Sequence, residues 1–353
     1  MNKLFLAMII ALLLSLFSCS EDDNPVAPPT DQSKERIYLF NGLGDFGTLS
    51  RIQDGLITNS LITLGKYPND IKYSSGLLYV LNSGAEGAGN IKIINESTMQ
   101  DVGSLEMMNT KSNPWKMSIG NGKIYVTSLN GPGVEVWSVA EKKYLKTIAI
   151  PDLIPYSGTT SAIIVNNKLF VSRGNYSANE KIFVVDINAD TVVTSFTSGV
   201  NSAAMLLDKE GELHILFTGD RANIGGYVKT FDTSTYLMKD SIYLGSQPGA
   251  FCMAADGEVF VSISGLNADW TGFGGVMRYN STTNLIINSS VDLFYSNSSS
   301  GIMDIYISTD KKIYLPLFNE NKLVVLNSSG TVTKEYTTGN GPQGLCYVKT
   351  TGK

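Results

Sequence analysis

The sequence predicts an all-β chain closed into a seven-bladed β-propeller of four-stranded antiparallel blades, and three observations predict it. An aliphatic–aromatic–aliphatic trio recurs seven times, as Ile37-Tyr38-Leu39, Leu78-Tyr79-Val80, Ile124-Tyr125-Val126, Leu169-Phe170-Val171, Leu213-His214-Ile215, Val259-Phe260-Val261 and Ile313-Tyr314-Leu315, with His replacing the aromatic once. The middle residues are spaced by 41, 46, 45, 44, 46 and 54 residues, the period of a four-stranded propeller blade. The 34 glycines, with abundant Asn, Ser and Thr between runs of Val, Ile and Tyr, describe short strands joined by tight turns. Finally, the two ends are complementary parts of one blade. Gly344–Lys349 supply an inner strand with nothing after it, while Arg36–Asn41, Thr48–Gln53 and Leu56–Leu61 supply second, third and fourth strands without an inner one. Joined, they close the ring and leave no free sheet edge at the seam.

Ahead of the ring, Met1-Asn2-Lys3 carries one positive charge, and Leu4–Phe17 is an apolar run too short to span a bilayer comfortably. This run ends in Leu16-Phe17-Ser18-Cys19, which resembles the bacterial lipobox; the resemblance implies cleavage before Cys19 and lipidation of Cys19. The acidic Ser20-Glu21-Asp22-Asp23 that follows is similar to an export signal of Bacteroidota surface lipoproteins. Pro25, Pro28, Pro29 and polar neighbours then form a segment unable to bury a core. The expected organisation is a signal peptide over 1–18, acylated Cys19 and a flexible tether over 19–35, and one propeller over 36–353. The membrane is then a partner through the lipid on Cys19. Outer-membrane attachment with display at the cell surface is expected, a periplasm-facing ring being the alternative.

The third repeat can be read strand by strand: Ala162–Val165, a turn at Asn166-Asn167, Lys168–Arg173, Lys181–Asp186, a turn at Asn188-Ala189-Asp190, and Thr191–Phe196. Third strands recur with a polar final residue, at Asn95, Ser138, Asp186, Asp232, Asn280 and Asn327, suited to bonding the amides of the following turn. Cys252 and Cys346 fall on inner strands two blades apart, too far for a disulfide, and read as small buried hydrophobes. A net charge of −5 without a basic patch argues against nucleic acid. A monomeric ring is expected.

Ile124-Tyr125-Val126-Thr127-Ser128, Val134-Glu135-Val136-Trp137 and Lys146-Thr147-Ile148 resemble the YVTN repeat of YncE-like seven-bladed propellers, and the likeness extends over the whole ring. Lys66-Tyr67-Pro68-Asn69, Asn113-Pro114-Trp115, Gln247-Pro248-Gly249 and Gly341-Pro342-Gln343 match the proline that precedes inner strands in that family. Blades three, four and six lack it. Lactonase relatives rely on His, Glu and Arg at the channel mouth, and here the one histidine, His214, sits in the aromatic slot of blade four, where packing is its expected role.

Ligand sites on such rings gather on the face that carries the second-to-third and fourth-to-first strand loops. From the slot aromatic to the polar end of the third strand is 13 residues in blades two and six, 16 in blades one and three, 18 in blade four and 20 in blade five. Long irregular loops often carry function. This logic selects Arg173, Tyr176, Arg221, Asn223, Trp270 and Phe273 on the longer loops, with Tyr67 and Trp115 beside inner strands, as ligand-binding candidates; aromatics and Arg on Gly and Asn frames suit recognition. Phe273 and Trp270 can equally pack their own loop. Asp70 and Asp304 occupy equivalent starts of inner strands at the channel mouth, either as satisfied structural carboxylates or holding a water or cation. No metal or cofactor is indicated.

Non-enzymatic binding of a small-molecule nutrient or a partner protein is the leading function class, with presentation to an outer-membrane transporter as in cobamide-capturing propeller lipoproteins. A lactonase-like hydrolase and a surface-layer or adhesion protein are the alternatives.

Overall fold

A computed structural model describes residues 34–350 except 85–86, 152–157, 175–179, 221–222, 246 and 267–271. The expected signal peptide, Cys19 and most of the tether lie outside the described residues, as do Tyr176, Arg221 and Trp270. No helix among the described residues is long and apolar enough to cross a membrane.

Glu35–Val348 form one compact unit of seven antiparallel sheets. Blade 1 comprises Pro68–Ser74, Leu77–Asn82, Asn90–Asn95 and Gln100–Glu106 from channel to rim, and blades 2 to 6 follow in chain order. Blade 7 is the expected seam: Pro342–Thr350 is its inner strand, beside Lys34–Asn41, Thr48–Gln53 and Leu56–Thr63. Gly42 and Leu43 donate backbone hydrogen bonds to Gly341 and Asn340, at 2.8 and 3.1 Å, and secure the seam at one end. Blade 5 departs from the four-strand expectation. Its outer strand is cut to Ile286–Asn288, and the vacated part of the third strand, Gly274–Val276, pairs instead with Tyr295–Asn297.

The core is seven apolar layers, one between each pair of neighbouring blades. This follows from strands with both faces covered, such as Leu78-Tyr79-Val80-Leu81, all buried, whose alternate residues feed opposite interfaces. Six slot residues are buried and Tyr314 is half-buried. At three of them the slot is also polar. Tyr38 donates to Glu96 at 2.7 Å, Tyr125 to Asp190 at 3.1 Å, and His214 lies 3.0 Å from the Tyr279 hydroxyl; each partner belongs to the next blade.

The polar ends of the third strands act as expected. Asn95, Asp186, Asp232 and Asn327 each accept two backbone N–H groups of the following turn through Oδ1, and Asn280 accepts that of Thr283. Ser138 accepts that of Glu141. The Ser234 hydroxyl together with the turn amides holds Asp232 well below the usual carboxylate range, and the Ala189 and Asn188 N–H groups lower Asp186. Cys252 and Cys346 are free thiols, pushed up by burial to about 11 and about 12, so both stay protonated and unreactive at neutral pH.

Candidate functional site

At the top of every blade the residue ahead of the inner strand accepts a backbone hydrogen bond from the exit of the second strand. The acceptors are Tyr67, Asn113, Gly158, Asn201, Gln247, Gly301 and Gly341, at 2.8–3.1 Å. This tie draws several of them into the left-handed region: Gly341 at φ 66°, Asn201 at 58°, Asn113 at 52° and Tyr67 at 51°. Gly and Asn tolerate that conformation. Tyr does not, and Pro68 restricts Tyr67 further; strain of about 1 kcal/mol or more is held there by the surrounding bonds. Ser83 supplies them, donating to the Tyr67 carbonyl through its N–H at 2.9 Å and its hydroxyl at 3.2 Å.

Held in this way, Tyr67 is 48% exposed and faces a cleft of about 540 Å³ between blades 1 and 2. The other walls are Asn69, Ser83, Lys111, Asn113, Trp115 and Asn130. Blade 1 and blade 2 are stitched together beneath it: Asn69 Nδ2 donates to the Pro114 carbonyl at 2.9 Å and Lys116 Nζ to the Asn69 carbonyl at 3.1 Å. The segment bearing Lys111 and Asn113 is anchored by the buried Glu135, whose carboxylate accepts the N–H groups of Met108 and Asn109 at 3.2 and 3.1 Å and the Asn109 amide at 2.8 Å. Glu135→Ala removes all three bonds and is expected to cost about 2–3 kcal/mol, the scale of hydrogen bonds to a charged group. Urea denaturation checks the stability, and limited proteolysis should find new cutting within 107–113.

Two ligand candidates, Tyr67 and Trp115, therefore meet in one cleft. The others described do not join them. Phe273 pairs across the blade 5 hairpin with Gly265, and its ring lies where a Gly265 side chain would stand, so it packs its own loop. Exposed Asn223 belongs to a turn in which its N–H bonds Asp220 Oδ1 at 2.8 Å, and half-buried Arg173 ends a strand opposite Thr159. Asn69, Lys111, Asn113 and Asn130 were not among the sequence candidates, while Ser83 opens the lengthened second-to-third-strand loop of blade 1. The proline motifs that flank Tyr67 and Trp115 contain Asn69 and Asn113 and were the available signal.

Asp70 and Asp304 occupy matching places near the starts of their inner strands, and both clamp neighbouring blades. Asp70 Oδ2 accepts the Met117 N–H of blade 2 at 2.9 Å, and Asp304 Oδ2 accepts the Leu345 N–H of blade 7 at 2.8 Å. The remaining oxygens are also engaged, Asp70 Oδ1 by Lys72 at 3.2 Å and Asp304 Oδ1 by the Ile305 N–H at 2.8 Å. Burial pushes the Asp304 carboxyl up, against the pull of Lys116 and Lys72. These are structural carboxylates.

On the second strand of blade 4, His214 is fully buried with Asp208, 3.2 Å from Nε2, while Nδ1 faces Tyr279. Burial lowers the His214 pKa against the Asp208 charge and raises that of Tyr279 well above a free phenol. Glu212 completes a set of three groups with metal-ligand atoms. Each is already partnered: Asp208 Oδ1 accepts the Glu212 N–H at 2.7 Å, and the Glu212 carboxylate pairs with Lys239. The expected packing role of His214 is thus joined by a hydrogen-bonding one.

No protein-family model and no curated protein matches the sequence. Solved structures do resemble it. A Bacteroides fragilis protein provisionally described as a 6-phosphogluconolactonase aligns over 91% of this chain and 99% of its own, with TM-score 0.68 and 12% identity. A Kuenenia stuttgartiensis hydrazine synthase chain aligns over 81% and 96%, with TM-score 0.64 and 12% identity. Citrobacter koseri AztD aligns over 91% and 100%, with TM-score 0.55 and 13% identity. At such identities the likeness extends to architecture alone, so what this chain shares with all three is the β-propeller fold.

Proposed function

We propose that this chain is a non-enzymatic binding propeller that captures a small polar ligand in the cleft between blades 1 and 2. The observation that carries the reading is the convergence of Tyr67 and Trp115 with polar groups that have no protein partner. Among the described residues, neither the Tyr67 hydroxyl, the Trp115 indole N–H, the Lys111 ammonium nor the Asn113 amide makes a hydrogen bond or ion pair. Gathered in one concave wall, these groups are free for a ligand. The described lining includes no carboxylate, imidazole or thiol to serve as general base, and both oxygens of Asp304 are occupied by backbone amides, which favours capture over hydrolysis.

In this reading Cys19 bears the lipid, the tether holds the ring off the outer membrane at the cell surface, and the loaded cleft is presented to a transporter. Thermal-shift screening of the intact chain against a polar metabolite library should find ligands that raise the melting temperature. Trp115→Ala should remove that rise while leaving the unliganded melting temperature within a few degrees. A ligand that stabilises the variant as much as the parent would place binding elsewhere.

A further inference from the structure

We infer that the ligand of this cleft is a saccharide carrying an anionic group, a step that rests on the cleft being the binding site. Four features of the lining point to this chemistry. Tyr67 and Trp115 offer two aromatic rings, whose electron-rich faces attract the polarised C–H bonds of a pyranose and cover its apolar side. Asn113 offers an unpartnered amide, an adjacent donor and acceptor in one plane, which matches neighbouring hydroxyls on a ring. The single formal charge among the lining residues is the Lys111 ammonium, free of any carboxylate partner, so the complementary ligand carries a carboxylate, sulfate or phosphate. With no described acid in the lining, a metal cation or an amine would find no counter-charge.

The backbone adds an independent argument. Six blades place Gly, Asn or Gln at the residue that accepts this tie before the inner strand, and blade 1 alone places a bulky aromatic there, in the left-handed region and before a proline. A scaffold position would take the residue that fits without strain. Strain retained at Tyr67 projects its ring from a fixed backbone into the cleft beside Trp115, which spares the entropy of ordering the ring when ligand binds. The cleft is also open and of mixed polar and apolar lining rather than enclosed, so hydroxyls directed away from the rings stay hydrated.

The test is titration of the intact chain with uronate-, sialate-, sulfate- and phosphate-bearing oligosaccharides and their neutral counterparts. Isothermal calorimetry reads affinity, and the indole N–H resonance of Trp115, assigned with Trp115→Phe, reads location. Expected is binding by anionic members of the panel with a shift of that resonance, the preferred anion distinguishing the sources of charge. Lys111→Met should weaken those ligands about fivefold to tenfold and leave neutral sugars unaffected. Equal binding of anionic and neutral members, unchanged by Lys111→Met, would overturn the anionic assignment. If polar fragments that are not sugars move the indole resonance and no oligosaccharide does, the saccharide assignment fails while the cleft remains the binding site. Should nothing move it, the binding reading falls and this inference with it.

Discussion

Deletion of Gly344–Lys353 is expected to abolish cooperative folding of the whole ring. The deletion removes most of the inner strand of blade 7, which among the described residues is the strand that pairs the inner edge of Lys34–Asn41. Leu345 and Tyr347 pack into the layer between blades 6 and 7, while Cys346 and Val348 pack into the layer between blades 7 and 1. Two interfaces therefore open at once. Lost apolar burial of these side chains is worth on the order of 5 kcal/mol or more, comparable to the net stability of a typical domain. The deletion also leaves Asp304 without the Leu345 N–H and bares the second strand's inner edge. Urea unfolding followed by circular dichroism, with size-exclusion chromatography for association, measures the effect. A truncated chain that unfolds at the parent's urea midpoint would contradict the closed-ring topology.

His214→Ala should be the most damaging single substitution among those considered, at about 3–5 kcal/mol, the cost of stranding a buried charge without its partner. The stranded group is Asp208, fully buried and left with the Glu212 N–H alone; the Tyr279 hydroxyl loses its partner as well. Adding Asp208→Asn to His214→Phe should recover much of the loss, because no buried charge then remains. The same site sets a pH dependence. Burial lowers the folded-state pKa of His214 below that of the unfolded chain, so its neutral form contributes stability at pH values above about 6.5. As pH falls below that value the unfolded state takes up the proton first, and the contribution is lost on the way down to the depressed folded pKa. Asp208, Glu212 and Tyr279 face the imidazole and set how far down that is. The gap in unfolding free energy between the parent and His214→Phe should therefore shrink between pH 6.5 and acid pH, measured by urea titration at each pH. A gap independent of pH would mean that His214 does not titrate on unfolding.

Much of the scaffold was legible because propeller blades are specified locally. The seven slot trios, the polar ends that bond their own turns and the Asn166-Asn167 hairpin all depend on residues within one repeat, and strand boundaries in blade 3 agree with the sequence reading to within a few residues. The two-ended blade was legible as well, since a missing strand at one terminus and a surplus strand at the other have one closure. Function was less so. Loop length directed attention to blades 1 and 3 to 5, yet in blade 5, where the excursion is longest, Phe273 covers Gly265 of its own hairpin. The polar work of the slots was hidden too, because Glu96, Asp190 and Tyr279 reach Tyr38, Tyr125 and His214 from the next blade.

By itself the sequence determined a closed seven-bladed ring, its seam and the equivalence of Asp70 with Asp304, because periodicity and turn chemistry act over short stretches of chain. Only the tertiary structure decided that Tyr67 and Trp115, 48 residues apart, share one cleft with Lys111 and Asn113. The reason is physical: a site between blades is assembled by the packing of two sheets, and the left-handed backbone that aims Tyr67 into it is imposed by a hydrogen bond from Ser83 that no local propensity announces.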